Sequence, residues 1–197
     1  MPNWCNTRIQ IRHEDPQKTR ELYESIKKWM TYDYHKNDFG LTWLGNIVGN
    51  SGVDKIREKG DFEKVRCRGW VSYIEYVEDS ESILIDTETA WRPMLQMWQM
   101  VCDRYLPGAE ILYEAEECGC CLYQTNDPVL KNCYVLDAMD SDLESDWEVS
   151  EDVLRLTIQE ECHTEETDME KLLEILNNSS VGAAAYKWDW IPIKDQE

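Results

Sequence analysis

The strongest constraint on the fold is a strand, helix and strand pattern that runs through residues 83–126. Apolar side chains recur every three or four positions over residues 94–105, and Pro93 stands where a proline suits the first turn of a helix. Pro107-Gly108 ends that helix, and residues 111–116 then follow the period of two that is typical of a half-buried strand. A helix packed across a sheet buries the apolar side of both, so the pattern predicts an α+β fold.

The chain before this stretch completes an order of six elements. Residues 2–12 alternate as a strand, and Asp15-Pro16 begins a helix that extends to about residue 30. Residues 70–78 and 82–88 have the composition and alternation of two strands joined by a short polar turn. The resulting order of strand, helix, strand, strand, helix, strand is that of the split β-α-β ferredoxin-like fold, an antiparallel sheet with its helices on one face.

Two regions fall outside this order. Residues 31–69 combine six glycines with aromatic side chains and predict a long ordered insertion with one short helix around residues 53–59. Residues 128–197 predict an acidic C-terminal α/β extension with a strand, two capped helices and a closing strand. We therefore expect a ferredoxin-like domain over residues 1–127 and an extension that packs on the same sheet.

The charge of the chain is concentrated in its second half. Residues 1–109 hold 15 basic and 17 acidic side chains, whereas residues 110–197 hold 5 basic and 23 acidic ones. A negative field of this size repels phosphate, so we expect no direct binding of nucleic acid. It attracts basic surfaces instead, although solubility alone is an alternative explanation of the same charge.

Targeting signals do not stand out in the sequence. It shows neither a secretory signal nor an apolar run long enough to span a membrane, so we expect a cytoplasmic protein that does not contact the membrane. In that compartment the eight cysteines are expected to be reduced thiols rather than disulfides.

Short motifs within this pattern are similar to those of one known family. They are the opening MPNWCN, the sequence TAWRP before the second helix, YEAEE in the strand that follows, and the later TND. Through these motifs residues 1–127, and more loosely Trp188-Asp189-Trp190, resemble the YubB-type ferredoxin-like proteins of bacteriophages and other mobile elements. The resemblance implies a fold but no chemistry, because the family is one of unknown function and holds no iron–sulfur cluster. Cys118-Gly119-Cys120-Cys121 stands where the family has Pro-Gly, so we expect a remodelled turn there.

The same turn contains the best candidate metal ligands. Cys118 and Cys121 have the C-x-x-C spacing of one half of a zinc site. Further candidate ligands are Cys120, Cys133, Cys162 and His163. A tetrahedral zinc site needs a second spaced pair, which the sequence lacks, and no basic residue stands nearby in sequence to lower a thiol pKa. We therefore expect no cofactor. The alternative is that these cysteines belong to a metal- or thiol-dependent enzyme of unknown substrate.

The acidic stretch over residues 137–148 predicts a solvated loop. Five carboxylates fall at positions 1, 3, 5, 9 and 12 of an EF-hand count: Asp140, Asp142, Glu144, Glu148 and Glu151. Position 6 of that count needs glycine for the sharp turn, but it is Ser145, and no helix precedes the loop. The pattern therefore does not predict a calcium site.

Catalytic signatures are missing from the sequence. It has no nucleophile elbow, phosphate-binding loop, dinucleotide-binding motif or zinc-protease motif. The neighbouring Glu116 and Glu117 are expected by chance among forty acidic residues, so they do not indicate a hydrolase. We therefore expect a protein that is not an enzyme.

The charge and the family resemblance together predict an interaction protein encoded by a phage or mobile element. As a DNA mimic, its acidic surface would occupy the basic nucleic-acid-binding groove of a host or defence protein, in the manner of an anti-CRISPR inhibitor. A structural module with no inhibitory role is a further alternative. The predicted contact residues are Asp137, Asp140, Asp142, Glu144, Asp146, Glu148, Glu151 and Asp152.

Overall fold

The computed structural model describes residues 3–34, 36, 38–53, 65–138 and 141–193. The chain divides into two compact units, one made of Met1–Leu122 with Pro192–Glu197 and the other of Tyr123–Ile191. Each unit contains both helices and strands, which confirms the predicted α+β class. Of the helices that the structure describes, none has the length and apolar character that crossing a membrane requires.

The first unit follows the predicted order of elements, with one helix added in the insertion. Its elements are β1 (Trp4–Arg12), α1 (Pro16–Trp29), α2 (Leu44–Ser51), β2 (Gly69–Val77), β3 (Ser82–Ala90), α3 (Leu95–Tyr105) and β4 (Glu110–Glu117). The strands lie in the order β2-β3-β1-β4, and each neighbouring pair is antiparallel. Ile9 of β1 lies opposite Ile85 of β3 on one side and Tyr113 of β4 on the other. The first strand of the chain is therefore an inner strand, with a hydrogen-bonded ladder on both sides.

Alternate side chains of these strands form one buried face. In β1 that face carries Cys5, Thr7, Ile9 and Ile11, all of which are buried. Apolar side chains of the three helices pack against it: Leu22, Ile26, Leu44, Ile47, Leu95, Trp98 and Val101. Removal of this shared apolar surface from water is the main stabilising contribution in the unit.

Helix α3 begins later than predicted. Its first residue is Leu95, two positions after Pro93. The chain before it is held in a turn, because the hydroxyl of Thr89 donates a hydrogen bond to the carbonyl oxygen of Arg92 at 2.8 Å. Trp91 in the same turn has a left-handed φ of 74°. Helical φ/ψ angles therefore start only after the proline, which also disfavours a helical conformation in the residue before it.

Helix α2 was not predicted, because its sequence LGNIVGNS contains two glycines and no charged residue. Its stability comes from tertiary burial, since seven of its eight residues are buried. The helix predicted at residues 53–59 lies outside the described residues apart from Val53.

One buried amide orders the chain around α2. The side chain of Asn46 is fully buried and accepts a hydrogen bond from the N–H of Tyr34 at 3.1 Å. Its NH₂ group donates to the carbonyl oxygens of Gly40 and Leu41 at 2.9 and 3.2 Å. These bonds satisfy backbone groups that regular secondary structure leaves without partners, so a single side chain stabilises the irregular stretch.

The second unit begins at the boundary strand β5 (Leu122–Thr125). It continues with β6 (Cys133–Asp137), β7 (Asp146–Ser150), α4 (Glu151–Glu161), α5 (Met169–Asn177), β8 (Ala184–Lys187) and β9 (Asp189–Trp190). Strands β7, β6 and β8 form an antiparallel sheet in that order, and β5 pairs with β9 in parallel. The first strand predicted in the C-terminal extension is confirmed as β6.

The period of two in β6 divides its side chains between two apolar clusters. Tyr134 and Leu136 pack with α4 and α5, whose buried residues are Leu154, Ile158, Leu172 and Leu176. Val135 points to the opposite side, where it packs with Tyr123 and Trp188. The central strand therefore contributes to both clusters of the second unit.

Two leucines of α4 provide a matched test of this packing. Leu154 is 0% exposed, whereas Leu156 on the other side of the same helix is 64% exposed. We expect Leu154→Ala to lower the free energy of unfolding by about 2–5 kcal/mol, because it leaves a cavity, and Leu156→Ala to change it by no more than about 0.5 kcal/mol. Urea unfolding followed by circular dichroism measures both. Equal losses in the two variants would contradict the described orientation of α4.

Candidate functional site

The structure exposes most of the predicted contact residues. We call residues 137–152 the acidic segment. Its exposed carboxylates are Asp142, Glu144, Asp146, Glu148, Glu151 and Asp152. Asp137, at the end of β6, is partly buried, and Asp140 lies outside the described residues. The segment is therefore a solvent-facing acidic surface over at least residues 142–152.

The predicted loop over residues 137–148 is wrong at its C-terminal end, because β7 begins at Asp146. This strand pairs with β6 on one side only and forms an edge of its sheet. Val149 enters the apolar cluster, while Asp146 and Glu148 alternate with it and remain in solvent. An extended edge strand with one apolar anchor therefore carries two of the carboxylates.

Helix α4 presents the next two carboxylates. The side chain of Ser150 accepts a hydrogen bond from the N–H of Val153 at 3.4 Å and caps the helix. Glu151 and Asp152 occupy the first turn, where the positive end of the helix dipole stabilises negative side chains. Helix stability alone therefore accounts for these two carboxylates, but not for those of β7.

Few cations oppose this charge. Residues 123–191 hold 17 acidic side chains and four basic ones, which are Lys131, Arg155, Lys171 and Lys187. Arg155 pairs with Asp152, and Lys171 lies 3.6 Å from Glu166. The other two lysines lie over aromatic rings, at 4.6 and 5.8 Å from the ring centroids. Within the described part of the second unit, most carboxylates therefore have no ion-pair partner.

The structure does not assemble the candidate metal ligands. Among the residues that it describes, no three His, Cys, Asp or Glu side chains form a group that could hold a metal ion. The four described carboxylates of the EF-hand count therefore form no such group, and the fifth, Asp140, lies outside the described residues. No such group forms among Cys118, Cys121 and the further candidates at residues 120, 133, 162 and 163.

Residues 117–121 form a second feature, which we call the cysteine turn. Glu117 is 3% exposed, and its Oε1 accepts a hydrogen bond from the N–H of Gly119 at 2.9 Å. Its Oε2 has no hydrogen-bond partner among the described residues. The Cys120 thiol and the Gly119 N–H bond to this carboxylate and lower its pKa, and burial acts in the opposite direction. A charged carboxylate therefore lies inside the turn.

Gly119 leaves room in the turn for the ends of two neighbouring side chains. A Cβ atom at this position would lie 2.7 Å from Nδ2 of Asn3 and 2.8 Å from Oε1 of Glu117, which is too short for either contact. The same Asn3 amide donates to the Cys120 sulfur at 3.6 Å. The hydrogen bond to Glu117 raises the pKa of the Cys120 thiol, so that thiol stays protonated.

Three of the four motifs that carry the family resemblance, those in β1, before α3 and in β4, meet at one end of this sheet. The antiparallel register places Trp4 opposite Ala90, and Asn6 opposite Glu116. The N–H of Trp91 donates to the carbonyl oxygen of Asn3 at 3.0 Å. We call residues 3–6, 89–91 and 116–121 the strand-end cluster. Sequence reasoning recorded these motifs as separate markers, although the alternation of three antiparallel strands would have indicated that their ends meet.

Both tryptophans of the strand-end cluster are exposed. Trp4 is 40% exposed and Trp91 is 50% exposed, and Trp4 contacts Trp70 edge to face at 5.3 Å. In the second unit Trp188 is buried, whereas Trp147 in the acidic segment is 42% exposed. Exposed aromatic side chains therefore accompany both features.

Comparisons of the chain with protein-family models, with curated proteins and with solved structures find no match.

The buried carboxylate predicts a defined dependence of stability on pH. The folded pKa of Glu117 lies below its ordinary value of 4.5, so the ionised form stabilises the fold above that pH and the effect disappears as the pH falls through the folded pKa. We therefore expect Glu117→Gln to lower the urea midpoint most at about pH 6 and progressively less below about pH 4.5. Glu110→Gln, which removes a charge from the exposed start of β4, is the control. A deficit of Glu117→Gln that is the same at about pH 6 and about pH 3 would contradict this role.

Proposed function

We propose that this protein is not an enzyme but an interaction protein that binds a basic protein surface through its acidic segment. The observation that carries the proposal is the exposure of six carboxylates over residues 142–152, where Arg155 pairs with Asp152 alone. Four further acids of this group face solvent on a loop and an edge strand, and none of them forms an ion pair with another described residue. Such a surface raises the rate of encounter with a cationic partner and selects its orientation.

The arrangement favours a partner that normally binds nucleic acid. Such a partner has a groove of Lys and Arg that accepts closely spaced anionic oxygens. Carboxylates accept the same charge-assisted hydrogen bonds as phosphate oxygens, and an arginine forms two of them in parallel. The protein would then exclude DNA or RNA from the groove by occupying it, as an anti-defence inhibitor of the anti-CRISPR kind does.

The first unit supports a second part of the proposal. We propose that it is a ferredoxin-like domain of the YubB-type family of phages and mobile elements, acting in the cytoplasm. The strand order β2-β3-β1-β4 with antiparallel neighbours supports that assignment, as does the meeting of three of the four family motifs in the strand-end cluster. The family resemblance supports an origin in a phage or mobile element, and the charge of the second unit supports binding to a basic partner.

A different role for the acids also has a physical basis. Charged side chains on an edge strand prevent pairing with other chains, so the carboxylates of β7 could serve solubility alone. The two roles differ in one respect, because only a docking surface requires the charge at a particular position. A comparison of variants with equal net charge therefore distinguishes them.

We expect charge reversal of the acidic segment to weaken partner binding at least tenfold. The test variant is Asp142→Lys, Glu144→Lys, Asp146→Lys and Glu148→Lys. The control variant, Glu160→Lys, Glu161→Lys, Glu165→Lys and Glu174→Lys, changes four exposed acids of the same unit and gives the same net charge. Tagged protein captures partners from a nuclease-treated bacterial lysate, a salt gradient elutes them, and calorimetry then measures the affinity of the purified partner for each variant.

The salt dependence and the control decide between the outcomes. Exposed charges are screened over a Debye length of about 8 Å at physiological ionic strength, so the partner should elute as salt rises. Loss of binding in the test variant with retention in the control supports a positioned surface. Equal affinities in the wild type and both variants, or equal losses in both variants, would refute it.

A further inference from the structure

We propose that Cys118 and Cys121 form a redox-active dithiol that closes reversibly to a disulfide across the cysteine turn. This activity is independent of the acidic segment and belongs to the first unit. The inference rests on the exposure of the two side chains and on the backbone geometry of the turn, within which Asn3 and Glu117 hold the third cysteine.

The backbone brings these two residues to a suitable separation. The N–H of Cys121 donates to the carbonyl oxygen of Cys118 at 3.2 Å, which closes a turn of four residues. The end Cα atoms of such a turn lie within about 7 Å, and a disulfide joins Cα atoms roughly 4.4–6.8 Å apart. Cys121 itself has a left-handed φ of 51°, so the turn ends at the residue that donates this hydrogen bond. Both side chains are exposed, so a reagent in solvent reaches them.

Cys120 is exposed as well, but its surroundings differ. Its sulfur accepts a hydrogen bond from Asn3, and its thiol bonds to the carboxylate of Glu117. Adjacent cysteines cannot be bridged without distorting the peptide bond between them, which excludes Cys120 as a ready partner of Cys121. Glu117 and Asn3 therefore hold the Cys120 thiol in place within the turn.

Four of the five cysteines outside the turn are poorly suited to this chemistry. Burial raises the pKa of Cys5 to about 11 and that of Cys102 to about 12, so almost no thiolate forms there at neutral pH. Burial also raises the pKa of Cys67 and Cys133. Among the described residues, exposed cysteines occur only in the cysteine turn.

The reaction is a thiol–disulfide exchange with a small or protein disulfide as oxidant. The thiolate of one cysteine attacks the oxidant, forms a mixed disulfide and releases one thiolate as the leaving group. The thiolate of the other cysteine then attacks the protein sulfur of that mixed disulfide and releases the second thiolate. The two protein thiols lose two electrons and two protons in total, and the oxidant is reduced to two thiols. In a reducing compartment the dithiol is the resting form, so the pair closes only under oxidation.

Glutathione disulfide provides the test on the intact protein. After incubation under native conditions, we expect wild-type protein to lose two hydrogens in mass without a glutathione adduct at Cys118 or Cys121, and we expect these two residues to resist alkylation while Cys120 is still alkylated. Cys118→Ser and Cys121→Ser should each accumulate a mixed disulfide with glutathione instead. Cys120→Ser is the matched control and should close as the wild type does. Circular dichroism checks that each variant is folded.

A second measurement uses the wild-type protein alone, so its result does not depend on whether the variants fold. Reduced wild-type protein is treated briefly with iodoacetamide, and Cys118 and Cys121 should be alkylated at least tenfold faster than Cys5 and Cys102. Stable glutathione adducts on Cys118 or Cys121 of the wild type, a bridge that requires Cys120, or alkylation of Cys118 and Cys121 at the rate of the buried cysteines would each overturn the proposal.

Discussion

The first unit depends on the two hydrogen-bonded ladders of β1. Because this strand pairs with β3 and with β4 over nearly its whole length, its register fixes which side chains of three strands face the core. A shift of one residue would expose Ile9 and bury Arg8, whose guanidinium pairs with Asp86 at 3.0 Å on the open face. The same register brings the start of β1 beside the ends of its two neighbours. The strand-end cluster is therefore a direct result of core formation.

In the second unit, short elements carry both the apolar side chains that pack in the core and the carboxylates that face solvent. In β7 a single buried valine is sufficient to anchor the strand, which leaves the residues on either side of it available for carboxylates. The first turn of α4 tolerates two more because its dipole favours negative side chains there. The acidic surface is thus compatible with a stable fold, and its net charge costs the molecule mainly self-repulsion.

Regular periodicity made much of the fold predictable. The alternation in residues 2–12 and 111–116 indicated β1 and β4, and the cap at Asp15 fixed the start of α1. Helix α2 has poor intrinsic propensity and depends on burial, which no local pattern reveals. Strand β7 was hidden for a similar reason, since only one of its five side chains is buried.

The candidate sites were predictable to different degrees. Exposure of the acidic segment followed from composition, because a run of carboxylates rarely enters a core. The burial of Glu117 did not, because it depends on Asn3, a residue more than a hundred positions earlier in the chain. In sequence the pair Glu116-Glu117 looks like two equivalent acids, and only the pleat of β4 assigns them to opposite faces.

The amide of Asn46 has a consequence for how this chain tolerates changes in length. Its two donated bonds reach the carbonyl groups of Gly40 and Leu41, which lie six and five residues earlier in the chain. One residue added or deleted between Leu41 and Asn46 would bring a different pair of carbonyl groups to the amide, and buried polar groups would lose their partners. Related chains that keep this asparagine should therefore have a constant spacing in the interval, with insertions confined to other parts of the loop.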